Sequence, residues 1–392
     1  MLKKILKTLL KLNTDETGLY WLKEIDINFL FKNYFLNFNQ YKFVKEDINK
    51  DNSNNIDEVY NFYLKSNKEF KRKLVALGWK KTFDSKFVDL FFYLNKKKLD
   101  KADEILHNMQ ENQILHGLDF ADYINNKNTK AFKILTIFKM QKLFHYLGLK
   151  NCLQTEGIIY NLNILEYKRN LDFIKKKYKN FLINKKINKK PSIKIKNYNL
   201  NATDIQSLYS SLRVKEIIDK NLNKKKKINI LEIGAGLGKT TINIIDLMSK
   251  KLNKIIIVDL FPVNLIQTYN FLNYFDKKII WYPGCKRKIA NCKIIIVPSD
   301  KKEILNKFKL DLIFNENSFP EMQGREIDKF IKIFKNRGDY LFSINHETSP
   351  NQNEYVHNSF TEKFNKSNIR LVDRRKSWIR NGYYENLYLN KP

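Results

Sequence analysis

The chain has 392 residues and a formal net charge of +32, from 73 Lys and Arg against 41 Asp and Glu. Its 43% hydrophobic and 14% aromatic content is ample for a large core and excludes a disordered chain. Only 12 Gly and 7 Pro exclude collagen-like and linker-rich classes, and the length points to two domains.

A charge this high raises nucleic acid or an anionic membrane as partners. Composition offers a competing source. About one residue in eight is Asn, and Ile replaces Leu and Val; Lys, Asn, Ile, Phe and Tyr share A/T-rich codons. The charge is also spread, +18 in residues 1–200 and +14 after them. A dedicated nucleic-acid groove concentrates it, so inherited composition is the leading reading and nucleic acid is not an expected partner.

Cys152, Cys285 and Cys292 form no C-x-x-C pair. Neither a disulfide framework nor a zinc site is expected; a reducing cytoplasm is, and no metal. No apolar run reaches the ~18 residues of a membrane span. In residues 1–12, Leu2, Ile5, Leu6 and Leu9 share one helical face with lysines largely off it. That pattern suits an ordinary first helix, or a weak contact with the inner face of a membrane.

Residues 1–195 read as a mostly helical domain ending in a basic linker. Helical spacing runs through Leu90–Leu94, Asp100–Met109 and Phe132–Met140. His107 and His116 have no ligand-like company. Lys175–Lys177, Lys185, Lys186, Lys189 and Lys190 read as a solvated helix end and linker, or as a basic lip over an anionic substrate. Residues 196–392 read as α/β. Tyr209–Leu222 is a helix, and apolar runs at 228–233, 255–259, 293–297, 310–314, 340–344, 369–372 and 384–388 alternate with helical stretches. Such runs imply a mostly parallel sheet covered on both faces.

The most informative segment is Leu231-Glu232-Ile233-Gly234-Ala235-Gly236-Leu237-Gly238-Lys239-Thr240, a glycine turn between a buried strand and a helix. Gly238-Lys239-Thr240 matches the end of a P-loop, but the glycine required five residues earlier is Ile233. A dinucleotide site wants G-x-G-x-x-G, and here the third glycine comes one residue early. The pattern E-x-G-x-G-x-G closely resembles the motif of class I S-adenosylmethionine-dependent methyltransferases. That resemblance implies a Rossmann-like seven-stranded sheet and S-adenosylmethionine as cofactor. The methionine part would cross Gly234, Ala235, Gly236 and Gly238, and Glu232 would face its ammonium group. Asp259, ending the next strand, would accept from the ribose hydroxyls. Asp300 would sit near the adenine, or cap a helix. Asn315 and Glu316, ending the fourth strand, would lie beside the methyl donor.

Asn315, Ser318, Glu321 and Met322 form an N-x-x-S-x-x-E-M signature, and Ser343-Ile-Asn345-His346 ends the following strand. Together with Leu212-Arg213 and Glu216-Ile217 these resemble a bacterial sugar O-methyltransferase family, over some 200 C-terminal residues. The resemblance implies a sugar, nucleotide-sugar or glycan-lipid acceptor. His346 is the expected base, because a sugar hydroxyl is too weak an acid to react without one. Glu321 would orient the acceptor or serve as alternative base; Phe319-Pro320-Glu321 also reads as a helix first turn. Asn317, Ser318 and Asn345 would hydrogen-bond sugar hydroxyls, and Trp378 would stack on the ring or sit buried. Glu347 shares the rim, and the polar stretch 349–360 would cover the substrate. The helical domain would shape the acceptor site and pair subunits. The expected location is the cytoplasm, at or near the membrane's inner face.

Two alternatives stand beside this one. An RNA-modifying methyltransferase would account for the lysines, yet Asn315-Glu-Asn-Ser-Phe-Pro320 lacks the Asn/Asp-Pro-Pro-aromatic grip of base amino-methylation. No Cys follows a Pro where a cytosine-methylating nucleophile belongs. A non-catalytic scaffold would have no reason to keep both the glycine loop and Asp259.

Overall fold

The computed structural model describes residues 42–45, 55–67, 77–109, 127–151, 164–178, 191–346 and 369–390, with a few single positions between them. Residues 1–12, 179–190, Glu347 and 349–360 lie outside the described residues, as do Cys152 and His116.

In chain order the elements are β1 (Lys42–Lys45), α1 (Asn55–Ser66), α2 (Leu77–Lys86), α3 (Val88–Asn95), α4 (Leu99–His107), α5 (Thr129–Tyr146) and α6 (Ile164–Lys177). Then come β2 (Pro191–Ile195), β3 (Tyr198–Leu200), α7 (Ala202–Asn221), β4 (Ile228–Ile233), α8 (Lys239–Leu247), β5 (Leu252–Asp259), α9 (Phe261–Tyr274) and β6 (Ile280–Trp281). β7 (Ile294–Pro298), β8 (Leu310–Glu316), α10 (Gly324–Arg337), β9 (Gly338–His346), β10 (Arg370–Lys376) and β11 (Tyr383–Leu389) complete the chain. A 3-10 turn, Phe319–Glu321, follows β8.

These elements form two compact units interleaved in sequence. The first comprises residues 1–49, 115–210 and 377–382. Its described part centres on α5, whose side chains are buried almost all around, including Phe132, Leu135, Phe138 and Phe144. A three-stranded antiparallel sheet, β1-β2-β3, accompanies it. The sheet stands where composition suggested helix and linker: Ile193 and Ile195 alternate inward between polar neighbours, a half-buried strand pattern short enough to be lost among lysines. Lys175–Lys177 close α6 as an exposed last turn, where cations suit the helix dipole.

The second unit comprises residues 50–114, 211–376 and 383–392. Division by packing therefore runs differently from division by composition at residue 195. The reason is aromatic. Phe261, first in α9, meets Phe62 of α1 at 5.7 Å and Phe91 of α3 at 6.4 Å between ring centroids. Asn55 donates to Asn273 Oδ1 at 2.6 Å, and Tyr269 donates to Asp103 Oδ1 at 3.1 Å.

The sheet of this unit has the order β10-β11-β9-β8-β4-β5-β7-β6. β4 through β9 are parallel; β11 runs antiparallel to β9, and β10 to β11. This is the seven-stranded methyltransferase arrangement, extended by the two-residue β6. The seven apolar runs of the sequence fall on its seven main strands; β4, β7 and β8 are nearly continuous in burial because helices cover both faces, whereas the edge strand β10 is largely exposed. The order reverses between β4 and β8, so their carboxyl ends open a crevice where ligands bind in open α/β sheets.

Candidate functional site

The glycine loop leaves β4 at that crevice. Gly234, Gly236 and Gly238 have φ of +70°, +56° and +78°, a left-handed region costly for other residues. Two of them are also crowded. A Cβ on Gly234 would stand 2.2 Å from Ser318 Oγ, and one on Gly238 would stand 2.5 Å from Phe271 Cζ. All three glycine N–H groups are used inside the protein. Gly234 donates to Val258 O at 2.8 Å, Gly236 to Asp259 Oδ2 at 3.0 Å and Gly238 to Ala235 O at 2.9 Å.

Asp259 ends β5, half-buried, and its carboxylate is the hub of the loop. Oδ2 also accepts from Gln267 Nε2 at 2.8 Å, and Oδ1 accepts from Leu260 N–H at 2.8 Å. Gln267 donates further to Gly236 O at 2.8 Å, and Asn270 donates to Leu237 O at 3.2 Å. One face of α9 thus clasps the loop, a role no spacing in the sequence announced. Glu232 lies buried beneath, accepting from the Thr241 hydroxyl. Burial pushes its carboxyl up to about 8, opposed by the Thr241 hydrogen bond and reinforced by the carboxylates of Glu316 and Asp259. Burial likewise pushes Asp259 up to about 6, against the hydrogen bonds from Leu260, Gly236 and Gln267. Three acidic side chains therefore gather at the crevice of a strongly basic protein.

The N-x-x-S signature braces the loop from the other side. Asn315 stands opposite Ile233 in β4 and Ser343 in β9. Its amide donates to Ile233 O at 2.9 Å and to Ser318 Oγ, while Ser318 Oγ donates to Ile233 O at 3.2 Å. Asn345 donates to Asn315 Oδ1 at 2.8 Å and to Ser343 Oγ at 2.7 Å. Asn315 and Asn345 are fully buried. Both side-chain nitrogens donate within this network, at the positions where the sequence reading expected Asn315 against the cofactor and Ser318 and Asn345 against sugar hydroxyls. Asn317 takes φ +66°, tolerable for Asn, and its N–H caps Ile344 O at 3.0 Å. That turn swings Ser318 over Gly234.

The remaining expected residues follow strand register. Asp300 lies in the 3-10 segment directly after β7, whose Pro298 stands beside Asp259. Glu316 ends β8 beside Ile344. His346 ends β9 opposite Tyr383, half-buried, with its ring 5.4 Å from the tyrosine ring and edge-on to it. Glu321 closes the 3-10 turn and accepts from the Trp79 indole at 3.0 Å. Trp378 belongs to the first unit, where its indole donates to Lys142 O at 2.9 Å and its ring meets His145 edge-on. Among the described residues no group of three or more His, Cys, Asp and Glu is placed to hold a metal, and no helix is long and apolar enough to cross a membrane.

No family model and no curated protein matches the chain. Similar folds occur among solved structures. PhzM, a pyocyanin biosynthetic protein, is 9% identical with a TM-score of 0.34, over 48% of this chain and 56% of its own. The mitomycin 7-O-methyltransferase MmcR is 12% identical with a TM-score of 0.32, over 48% and 56%. DhpI, solved with SAH, is 9% identical with a TM-score of 0.31, over 47% and 87%. The match thus spans just over half the length of the first two.

Proposed function

We propose that this protein is an S-adenosylmethionine-dependent O-methyltransferase whose acceptor is a hydroxyl of a sugar, nucleotide-sugar or glycan-lipid precursor. The observation that carries the cofactor is the internal use of the glycine N–H groups, together with the carboxylates beside them. A phosphate cradle needs free backbone donors aimed at its anion. Here the donors of Gly234, Gly236 and Gly238 are taken. Asp259 and Glu316 bring acidic side chains to the crevice, above the buried carboxyl of Glu232, which suits a ligand bearing a sulfonium and an ammonium group better than one bearing phosphates.

S-adenosylmethionine, when bound, supplies an electrophilic methyl on a good leaving group. The work left to the protein is alignment and proton removal. Asp259 accepts from the ribose hydroxyls with its remaining lone-pair capacity, held in place by Gln267 and Leu260. Glu232 and Glu316 face the cationic end. Ser318 and Asn315 hold the loop's entrance strand in register. His346, at the carboxyl rim of β9, takes the hydroxyl proton, and Glu321 orients the acceptor. The sugar assignment rests on the N-x-x-S-x-x-E-M signature.

Calorimetry is the direct test. S-adenosylhomocysteine should bind one to one, and ATP and NAD should not. Asp259→Asn should weaken that binding ~10–100-fold, because an amide turns donors toward Gly236 and Gln267. His346→Ala should abolish methyl transfer to glycosides and leave binding unchanged. A wild-type protein that ignores S-adenosylhomocysteine overturns the reading.

A further inference from the structure

One side chain from the helices ahead of the sheet reaches the acceptor-side rim. Trp79, in α2, donates its indole N–H to Glu321 Oε2 at 3.0 Å across 242 positions of sequence. Glu321 itself sits at the end of a short turn, its own N–H bonded to Ser318 O at 3.1 Å. Trp79 is half-buried and backed by a stack of buried rings. Its ring meets Phe83 at 5.7 Å, Phe83 meets Phe87 at 5.1 Å, Phe87 meets Phe91 at 6.0 Å, and Phe91 lies parallel to Phe261 at 6.4 Å. Phe261 follows Asp259 by two residues. The indole is therefore anchored, through close-packed rings, to the start of α9, two residues beyond the strand that ends in Asp259.

Anchoring of this kind has a chemical use. A glutamate side chain at a rim samples many rotamers, and fixing it in advance removes that entropy from the reaction. The indole N–H is a donor only, so the contact leaves Glu321 an acceptor toward a hydroxyl. We propose that Trp79 is a positioning residue for the methyl acceptor, holding the Glu321 carboxylate in the orientation that receives the acceptor hydroxyl. This rests on the reading of the site as a hydroxyl methyltransferase, and it assigns the segment ahead of the sheet a part in the reaction.

The test combines a spectroscopic and a kinetic readout on the full chain. In protein labelled with 15N-tryptophan, the Trp79 indole N–H resonance, assigned by its loss in Trp79→Phe, should move and exchange faster in Glu321→Ala. Methyl transfer is followed from radiolabelled S-adenosylmethionine to a panel of methyl glycosides. Trp79→Phe should lower kcat about tenfold with the KM for S-adenosylmethionine unchanged, and the double variant should be no slower than Glu321→Ala alone. An indole resonance indifferent to Glu321→Ala overturns the proposal. So does wild-type kcat in Trp79→Phe, or losses that multiply in the double variant. If Trp79→Phe fails to fold, the Glu321→Ala spectrum still decides. If wild type binds S-adenosylhomocysteine yet methylates no glycoside, the sugar acceptor is wrong; the indole resonance then judges the positioning contact by itself.

Discussion

Gly234 has no room for a methyl group and no easy backbone for one. Its φ is +70°, and an added Cβ would overlap Ser318 Oγ at 2.2 Å and Ser318 Cβ at 2.4 Å. Gly234→Ala should therefore cost about 2–4 kcal/mol in urea unfolding. Adding Ser318→Gly should recover the steric share and leave the left-handed share, ~1–2 kcal/mol. Equal losses in the single and double variants would show that the overlap is relieved some other way. Glu232 makes a second prediction at this scale. Its carboxyl stands at about 8 against an ordinary 4.5. The folded chain thus keeps a proton that the unfolded chain releases near 4.5, so stability falls as pH rises across that window and the loss is complete above it. Asp259 adds a smaller loss between 3.8 and about 6. Glu232→Gln keeps an acceptor for Thr241. It should raise the stability of the cofactor-free protein by roughly 2–4 kcal/mol at pH 8.5 and by almost nothing at pH 4, read by thermal melts. It should also weaken S-adenosylhomocysteine binding.

At the scale of elements, one buried ion pair joins α7 to the last strand. Arg213 Nε donates to Glu385 Oε2 at 2.8 Å with both side chains buried, and Arg213 Nη1 also donates to the more exposed Glu216. Burial alone would lower the guanidinium's proton affinity; Glu385 and Glu216 outweigh it and hold Arg213 above its ordinary value. Glu385→Ala leaves that cation buried with half its partners, so it should cost about 3–5 kcal/mol. Arg213→Met with Glu385→Leu should cost far less, since neither charge is left buried; an equally large loss would mean the pair supplies net stability. The elements also mark how much was legible beforehand. The five parallel strands β4, β5, β7, β8 and β9 announce themselves as apolar runs because parallel strands are buried on both faces. The two-residue β6 is too short to make a run. Asn315 and Asn345 read as ligand-facing because they end strands at the rim. Which way a strand-end side chain turns depends on its neighbour strands, and here Ile233 O and Ser343 draw both amides inward. Trp79, Phe83, Phe87 and Phe91 recur every fourth residue, so their stripe was there to be read. Its far end, Glu321, was not, for nothing local links positions 242 apart.

Over the whole molecule, three lysines bond backbone carbonyls at the amino edge of the sheet. Helices antiparallel to the strands end there, exposing carbonyls and the negative ends of their dipoles. Lys293 Nζ donates to Ser249 O at 3.2 Å beyond the end of α8, and Lys227 Nζ to Lys250 O at 3.0 Å. Lys254 Nζ donates to the carbonyls of Ala290 at 2.8 Å and Cys292 at 2.7 Å. The carboxyl edge instead gathers Glu232, Asp259 and Glu316. The interleaving of the two units yields the last prediction. A fragment of residues 196–392 lacks α1 and α3 and bares Phe261 and Tyr282, which are fully buried in the intact chain. It should unfold without a cooperative transition and bind a hydrophobic dye; a sharp two-state melt would mean the helices of 50–114 are dispensable to the sheet.

The sequence by itself determined the parallel sheet, the glycine turn and the acidic residue one strand later. These follow from short-range rules: apolar runs make buried strands, left-handed backbone needs glycine, and consecutive parallel strands bring their ends to one edge. Only the tertiary structure decided that the glycine donors are spent internally, that the Asn-Ser signature braces the loop, and that Trp79 meets Glu321. Each of those depends on which groups face one another across strands or across hundreds of residues. Hydrogen bonds and close packing act over a few ångströms of space, with no regard for distance along the chain.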